Sequence, residues 1–187
     1  MDELEKEKEE GLSWDYLADV LPKKEEIGNK YQIPGWGLGI TLFSFAAKAV
    51  IEELGPEKGE ALLKKAIEEF GRARGRRIAG IVKGLGKPLT LKNWFIYNDM
   101  DPRNTNPQPI DIVDGDYLMK TGECVLWNTA GEFGLRDFSQ FFCKYNDYAV
   151  LEGYNPDIKL VKAYRYQTGK DHCVFRYIMK ESNKMSF

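Results

Sequence analysis

The chain has 187 residues, of which 43% are hydrophobic, and 27 basic residues against 29 acidic ones give a formal net charge of −2. This length suffices for one hydrophobic core, so we expect a charged extension at residues 1–12 and a single domain at residues 13–187. A charge so near zero gives no overall field that attracts nucleic acid or an anionic membrane, and we expect neither as a partner.

Three cysteines, an odd number, occur in a chain that begins MDELEKEKEE. A secretion signal has basic residues followed by an apolar segment, and this stretch has no such layout. We therefore expect reduced thiols and a cytoplasmic location. The most apolar run, GLGITLFSFAAKAVIEEL at residues 37–54, is too short and too charged to cross a bilayer about 30 Å thick, so it predicts a buried helix.

Helical spacing dominates the first half of the chain. Apolar residues at 14–21 predict a short helix before Pro22, and a stripe over residues 56–85 predicts a long one. The members of that stripe are Leu63, Ile67, Phe70, Ile78, Ile81 and Leu85. Arg74 falls on the stripe between Gly71 and Gly75, which allow a backbone or a ligand to approach closely. A buried guanidinium needs an anion, either a protein carboxylate, the commoner case, or a substrate carboxylate.

In the second half of the chain the spacing of the apolar residues is no longer helical throughout. A loop at residues 98–109 precedes GDYLMKTGECVLW, which predicts a strand with Leu118, Cys124 and Leu126 on one apolar face. Residues 136–156 predict a helix that ends near Gly153, and residues 158–179 predict two antiparallel strands joined around Gly169. The expected fold is α+β: a helical N-terminal half packed on a mostly antiparallel sheet, with one further long helix.

The spacing of the polar residues decides which of them can share a site. The sole histidine, His172, precedes Cys173 in a predicted strand, where neighbours point to opposite faces, so a local His-Cys dyad is disfavoured. Cys173 instead shares a face with Phe175 and Tyr177. Cys143 and Asp147 are four residues apart on a predicted helix and therefore lie on one face.

Three segments together resemble the L-2-amino-thiazoline-4-carboxylic acid hydrolase family: ECVLW, FFCKYNDYAVLEGYNP and GKDHCVFRY. The resemblance extends over about residues 55–177 and includes FGRARG. It places a cysteine at the end of a strand, a second cysteine and an aspartate on a helix before an Asn-Pro turn, and a third cysteine in a closing strand. The matching residues are Cys124, Cys143, Asp147, Asn155, Pro156, Gly169, Cys173 and Phe175.

The resemblance implies a hydrolase that uses water to open a thiazoline carrying a carboxylate, with N-carbamoyl-cysteine as the product. Such hydrolysis requires attack at the amidine carbon, a proton donor for the leaving nitrogen and an anchor for the carboxylate. We expect Cys143 or Cys173 as nucleophile, Asp147 as base or proton relay, and Arg74 as anchor. Cys124 and Trp127 complete the expected substrate-binding residues, and the expected ligand is a small carboxylated molecule.

Other interpretations of the same residues stay open. Free cysteines are usually buried apolar filler. The three thiols with His172 or Asp147 are also candidates to hold zinc or iron, but the chain has no Cys-x-x-Cys pair, so we expect no cofactor. The fold of the family is similar to small-molecule-binding domains of the vinyl-reductase type, so a sensor domain without turnover is the alternative function. Its apolar pocket is expected to use Trp127, Phe138, Phe141, Phe142 and Tyr148.

Overall fold

The computed structural model describes residues 33, 35–101, 104, 105, 107, 108 and 111–178. The extension expected at residues 1–12 and the helix expected at residues 14–21 lie outside these ranges. The elements in chain order are α1 Gly35–Leu54, α2 Pro56–Gly84, α3 Leu91–Tyr97, β1 Asp111–Val113, β2 Asp116–Thr121, α4 Val125–Glu132, α5 Arg136–Tyr154, β3 Lys159–Ala163, α6 Arg165–Thr168 and β4 Cys173–Ile178.

The four strands form one antiparallel sheet in the order β1-β2-β4-β3. The central strand β4 pairs Cys173 with Thr121 of β2 and Phe175 with Lys162 of β3. The α+β prediction is confirmed, as is the antiparallel pairing of the last two strands. Their connection contains the single turn α6, which ends at Gly169 with a positive φ of 68°.

Helices α2 and α5 cross at backbone contact. A Cβ atom built on Gly75 would lie 2.1 Å from the carbonyl oxygen of Val150, and one on Gly153 would lie 2.3 Å from that of Arg72. A Cβ on Gly71 would lie 2.7 Å from the Cβ of Ala149. The close approach expected at Gly71 and Gly75 is therefore made by another helix, and the crossing sets the position of everything that α5 carries.

Two buried apolar clusters share α2 and α5. One surrounds Ile78, Val82, Leu91, Leu151 and Tyr177, where these helices meet α3 and the sheet. The other surrounds Ile40, Leu63, Ile67, Leu126 and Phe142, where the same helices meet α1 and α4. Because each long helix contributes to both clusters, they hold the chain together along the full length of the crossing.

Two expectations about burial in the helical half are wrong in detail. The run at residues 37–54 is helical, but Leu38, Leu42 and Phe45 are more than half exposed, so only one face of α1 is buried. On α2 the buried face departs from the predicted stripe, because Ile81 is exposed and Val82 is fully buried. No helix within the described ranges has the length and apolar character that a bilayer span requires.

The strand expected through Cys124 ends earlier than predicted. Strand β2 stops at Thr121, and residues from Val125 onward form α4, so Cys124 precedes a helix instead of lying on a sheet face. The buried residues of this segment are Leu126, Thr129 and Ala130, at steps of three and one. These steps put all three on one side of a helix, and in an eight-residue segment they compete with the alternation that suggested a strand.

Candidate functional site

A cavity of about 750 Å³ lies against α2, α3, α5 and one face of the sheet. All three cysteines contribute to its lining. Among the described residues that line it, the charged ones are Arg74, Asp147 and Lys162. The rest of the lining is dominated by aromatic, aliphatic and methionine side chains. The cavity therefore combines thiols, two cations, one carboxylate and several amide and hydroxyl side chains with a mostly apolar surface.

The regular alternation of the strands explains which sheet residues reach the cavity. On β4 these are Cys173, Phe175 and Tyr177, the set that the sequence predicts on one face. The neighbouring strand β3 contributes Leu160 and Lys162, again two residues apart. Since β3 and β4 pair in register, the side chains of one face line the same space.

Helix α5 forms the wall opposite the sheet. Cys143 and Asp147 both line the cavity, as their spacing of four predicts, and Asn146, Val150 and Leu151 continue the same face. The structure thus brings Cys143, Asp147 and Cys173 to one cavity, although they come from two elements far apart in the sequence.

Lys162 is the charged residue of the site that sequence reasoning missed. Its side chain is only 4% exposed, and its Nζ donates a hydrogen bond to the carboxylate of Asp147. The ammonium also lies 4.2 Å from the ring centroid of Phe175 and 4.5 Å from that of Tyr164, within cation-π range. Its shared parity with Leu160, which faces inward, was the signal that could have identified it.

The ammonium form of Lys162 is favoured in this environment. Burial by itself lowers the pKa of Lys162, but the charge and hydrogen bond of Asp147, together with the nearby Cys143 and Cys173 groups, outweigh burial in sum and the net pKa is raised. The second carboxylate oxygen of Asp147 accepts a hydrogen bond of 3.2 Å from the side-chain amide of Asn146. Each carboxylate oxygen of Asp147 accepts a hydrogen bond, and the bond from Lys162 holds the ammonium in place.

The thiols of the cavity differ in their surroundings. Burial raises the pKa of Cys143 to about 12, against the opposing charge of Lys162, so this thiol stays protonated at neutral pH. The Sγ of Cys173 accepts a hydrogen bond of 3.4 Å from the backbone N–H of Arg165. This hydrogen bond fixes the position of the Cys173 sulfur at the cavity wall.

Arg74 has its anion within the protein. Its Nε and Nη2 donate to the two oxygens of Asp99 at 3.2 and 2.5 Å, and Nη1 donates to the side-chain oxygen of Asn146 at 3.2 Å. The guanidinium also lies 5.0 Å from the ring of Trp36 and 5.4 Å from that of Phe70. Of the two partners open on sequence grounds, the protein carboxylate is present, and a substrate contact by Arg74 stays a prediction.

A comparison with protein-family models bears on the whole of this site. The model described as L-2-amino-thiazoline-4-carboxylic acid hydrolase matches residues 39–177, well over half of the chain. The chain belongs to this family. The matched segment contains the three cysteines, Asp147, Lys162 and Arg74. Searches of curated proteins and of solved structures return no match.

Two residues named from the sequence lie apart from the cavity that this family member carries. Trp127 is not part of the described lining; its ring stacks on that of Tyr166 at 6.4 Å between centroids. His172 is not part of it either, and its Nδ1 lies 2.7 Å from the carboxylate of Asp171. Cys124, in contrast, lines the cavity from the position just before α4.

The metal alternative depends on how the acidic, thiol and imidazole groups are arranged. Within the described ranges, no group of three or more His, Cys, Asp or Glu side chains is positioned to hold a metal ion. The three cysteines line one cavity without forming such a cluster. The ammonium of Lys162 forms an ion pair with Asp147.

Proposed function

We propose that this protein hydrolyses a cyclic, thiazoline-type ring of a small carboxylated heterocycle inside the cavity. The observation that carries the proposal is that Cys173, Cys143 and the Lys162–Asp147 pair all line one cavity. Membership of the L-2-amino-thiazoline-4-carboxylic acid hydrolase family supports the same reaction class. The proposed reaction uses water and side chains of the chain itself.

Lys162 is the proposed anchor for the substrate carboxylate. Its ammonium carries three N–H donors, and Asp147 accepts one of them in the structure. The described lining residues include two cations, Arg74 and Lys162, each of which also has one protein carboxylate as partner. In such a buried position the attraction between ammonium and carboxylate is screened less than at the surface. Arg74 is the second candidate, but its fork already binds Asp99.

Cys173 is the proposed nucleophile. Its sulfur forms a bond to the amidine carbon of the ring, and the ring nitrogen takes up the proton that the thiol gives up. The ring carbon-sulfur bond then breaks, since the N-carbamoyl product keeps both nitrogens on that carbon, and the departing sulfur takes a proton from one of these nitrogens and becomes a thiol. A water molecule next attacks the same carbon and supplies the oxygen of the carbamoyl group; one of its protons returns to that nitrogen, and the other goes to the Cys173 sulfur as its bond to carbon breaks. The backbone N–H of Arg165 donates a hydrogen bond to the Cys173 sulfur and helps to hold it in position.

The other two polar residues have supporting roles in this proposal. Asp147 positions the ammonium of Lys162 through their ion pair. Cys143, with its pKa raised to about 12, lines the cavity as a neutral thiol. This neutral thiol and the aromatic lining also favour the alternative, a small-molecule-binding domain without turnover, because an apolar, largely uncharged pocket suits binding alone.

Turnover of 2-amino-thiazoline-4-carboxylate by the purified full chain tests the proposal, with the ring-opened product followed by chromatography. We expect Cys173→Ala to lower kcat at least 1,000-fold, on the order of 4 kcal/mol, and Cys143→Ala to lower it less than tenfold. Binding of this compound without turnover by the unaltered protein supports the binding-domain alternative. Equal losses of kcat in the two variants would contradict the assignment of Cys173 as the nucleophile.

A further inference from the structure

The cavity is large for a single small ring. Its volume of about 750 Å³ falls in the range of roughly 300–1,000 Å³ that is typical of sites for drug-sized ligands. A five-membered ring with one amino group and one carboxylate fills only a minor part of such a space. Ligand sites bury most of the surface of their ligand and fit it closely. We therefore expect a ligand with more atoms than this single ring.

The strand register gives the cavity two ends of different chemistry. Proceeding along β4, Cys173 pairs with Thr121, Phe175 pairs with Lys162, and Tyr177 pairs with Leu160. The thiol and the ammonium therefore belong to one end of the sheet face, and apolar side chains belong to the other. Helix α5 repeats this order, because Cys143 and Asp147 are followed one turn later by Val150 and Leu151.

Helix α3 closes the apolar end with two aromatic side chains. The ring of Trp94 lies 5.3 Å from that of Tyr154, and the ring of Phe95 lies 5.3 Å from that of Tyr177. Trp94, Phe95 and Tyr177 line the cavity together with Leu151 and Leu160. Binding of apolar ligand atoms to this apolar surface is favourable, because their contact removes both surfaces from water.

We infer that the substrate is amphiphilic: a carboxylated heterocycle that carries an aromatic or branched aliphatic arm. The ring and its carboxylate bind at the end formed by Cys173 and Lys162, and the arm extends toward Leu160, Tyr177 and α3. This inference rests on the proposed function for the identity of the ring, and it adds the class of substituent that the protein recognises.

The test compares 2-amino-thiazoline-4-carboxylate with the same ring bearing a benzyl or isobutyl substituent. Calorimetric titration uses the full chain with Cys173→Ala, which prevents turnover during the measurement. We expect the substituted compounds to bind at least 30-fold more tightly, because the arm buries apolar surface against the lining. Substituted compounds that bind no more tightly than the parent ring overturn the inference.

A matched pair of variants locates the arm. Leu160→Trp fills the apolar end, whereas Val161→Trp places the same side chain on the other face of β3, where Val161 is 57% exposed. We expect Leu160→Trp to lower the affinity for the substituted compounds to that for the parent ring, and Val161→Trp to preserve the gain from the substituent. Equal weakening of both ligands by Leu160→Trp contradicts the inference. If Leu160→Trp does not fold, the affinities for the parent and substituted rings are compared in Leu160→Phe.

Turnover by the unaltered protein separates this inference from the function on which it rests. Hydrolysis of the parent ring without any gain from the substituents leaves the proposed function intact and overturns the amphiphilic substrate. A strong gain in affinity with no hydrolysis of any compound in the series upholds recognition of the arm and contradicts the hydrolase proposal. Preferential hydrolysis of the substituted rings supports both.

Discussion

On the helical side of the cavity, α2 and α5 touch at their backbones, and Arg74 is bound by Asp99 and Asn146 and covered by two rings. On the sheet side, Lys162 donates to one carboxylate and Cys173 accepts one backbone hydrogen bond. The polar groups on the first side have their partners within the fold. Those on the sheet side can still form hydrogen bonds to a ligand. We therefore expect the helix crossing to determine stability and the sheet side to carry the proposed chemistry.

The largest effect expected from this contrast belongs to Gly75→Ala. The added Cβ would lie 2.1 Å from the carbonyl oxygen of Val150, and a backbone atom of a packed helix cannot move aside locally. We expect a loss of about 4 kcal/mol or more in the free energy of unfolding, which lowers Tm by roughly 10 °C. Thermal unfolding followed by circular dichroism measures it.

Gly80→Ala is the matched control on the same helix. A Cβ on Gly80 meets no atom within 4 Å, so the substitution changes helix propensity alone. We expect it to stabilise the protein by about 0.5–1 kcal/mol. Similar losses in the two variants would show that glycine is needed on α2 for a reason other than the crossing.

Lys162→Met has the next largest effect, on turnover. The variant keeps an apolar stem and removes the ammonium that pairs with Asp147 and is proposed to anchor the substrate carboxylate. We expect kcat/KM to fall at least 100-fold, about 2.7 kcal/mol, whereas Lys159→Met, at an exposed position of the same strand, changes it less than twofold. A loss below fivefold in Lys162→Met contradicts the anchor role.

The double variant Lys162→Met with Asp147→Asn separates activity from stability. Removing one partner of a buried pair leaves an uncompensated charge, so Lys162→Met alone is expected to unfold more easily. The double variant removes the orphaned carboxylate charge and is expected to recover part of the stability without recovering turnover. Recovery of turnover would show that Lys162 acts only through the ion pair.

The sequence predicted the parts of this site that depend on local periodicity. The spacing of Cys143 and Asp147 on a helix and the parity of Cys173 in a strand were enough to put each residue on an inward face. It did not predict the ion pair of Lys162, because the partner carboxylate is brought there by the packing of α5 on the sheet. A lysine in an alternating strand is also usually exposed.

The error in the predicted strand at Cys124 has a different origin. Between Thr121 and Val125 the chain changes from strand to helix, and a short apolar segment fits both periods. The choice was decided by α1 and α5, against which Leu126 packs with Ile40 and Phe142. Extending the strand through this segment placed Cys124 on an apolar sheet face that does not exist. The ring of Trp127 stacks on that of Tyr166, and the expected substrate contact of Trp127 stays a prediction.

Arg74→Met tests the helical side with a smaller expected effect. The substitution leaves Asp99 without its bidentate partner, but Asp99 is 25% exposed at its side chain and water reaches it. We expect a loss of about 2 kcal/mol, or roughly 4–8 °C in Tm, with turnover changed less than threefold. Arg77→Met, at an exposed position of the same helix, is the control and should leave Tm unchanged. An unchanged Tm with a large loss of ligand affinity would make Arg74 the carboxylate anchor.

The smallest expected effect is a dependence of stability on alkaline pH. The pKa of Cys143 is raised from about 9 to about 12 by burial, so between these values the unfolded chain loses the proton that the folded chain keeps. Stability from this group is complete below pH 9 and is lost as the pH rises toward 12. At pH 10 we expect a loss on the order of 1 kcal/mol that Cys143→Ala does not show, measured by urea unfolding at pH 7 and 10. Identical pH profiles would place the Cys143 thiol in contact with water.

A crystal structure of the Cys173→Ala protein with bound 2-amino-thiazoline-4-carboxylate tests the central claim most directly. The account predicts the ligand inside the cavity, with its amidine carbon beside position 173 and its carboxylate within hydrogen-bonding distance of Lys162 Nζ, about 2.7–3.2 Å. Asp147 should still hold the other side of the ammonium, and Arg74 should still bind Asp99. A carboxylate bound by Arg74 in place of Asp99, or a ring with its amidine carbon away from position 173, would contradict the assignment of chemistry to the sheet side.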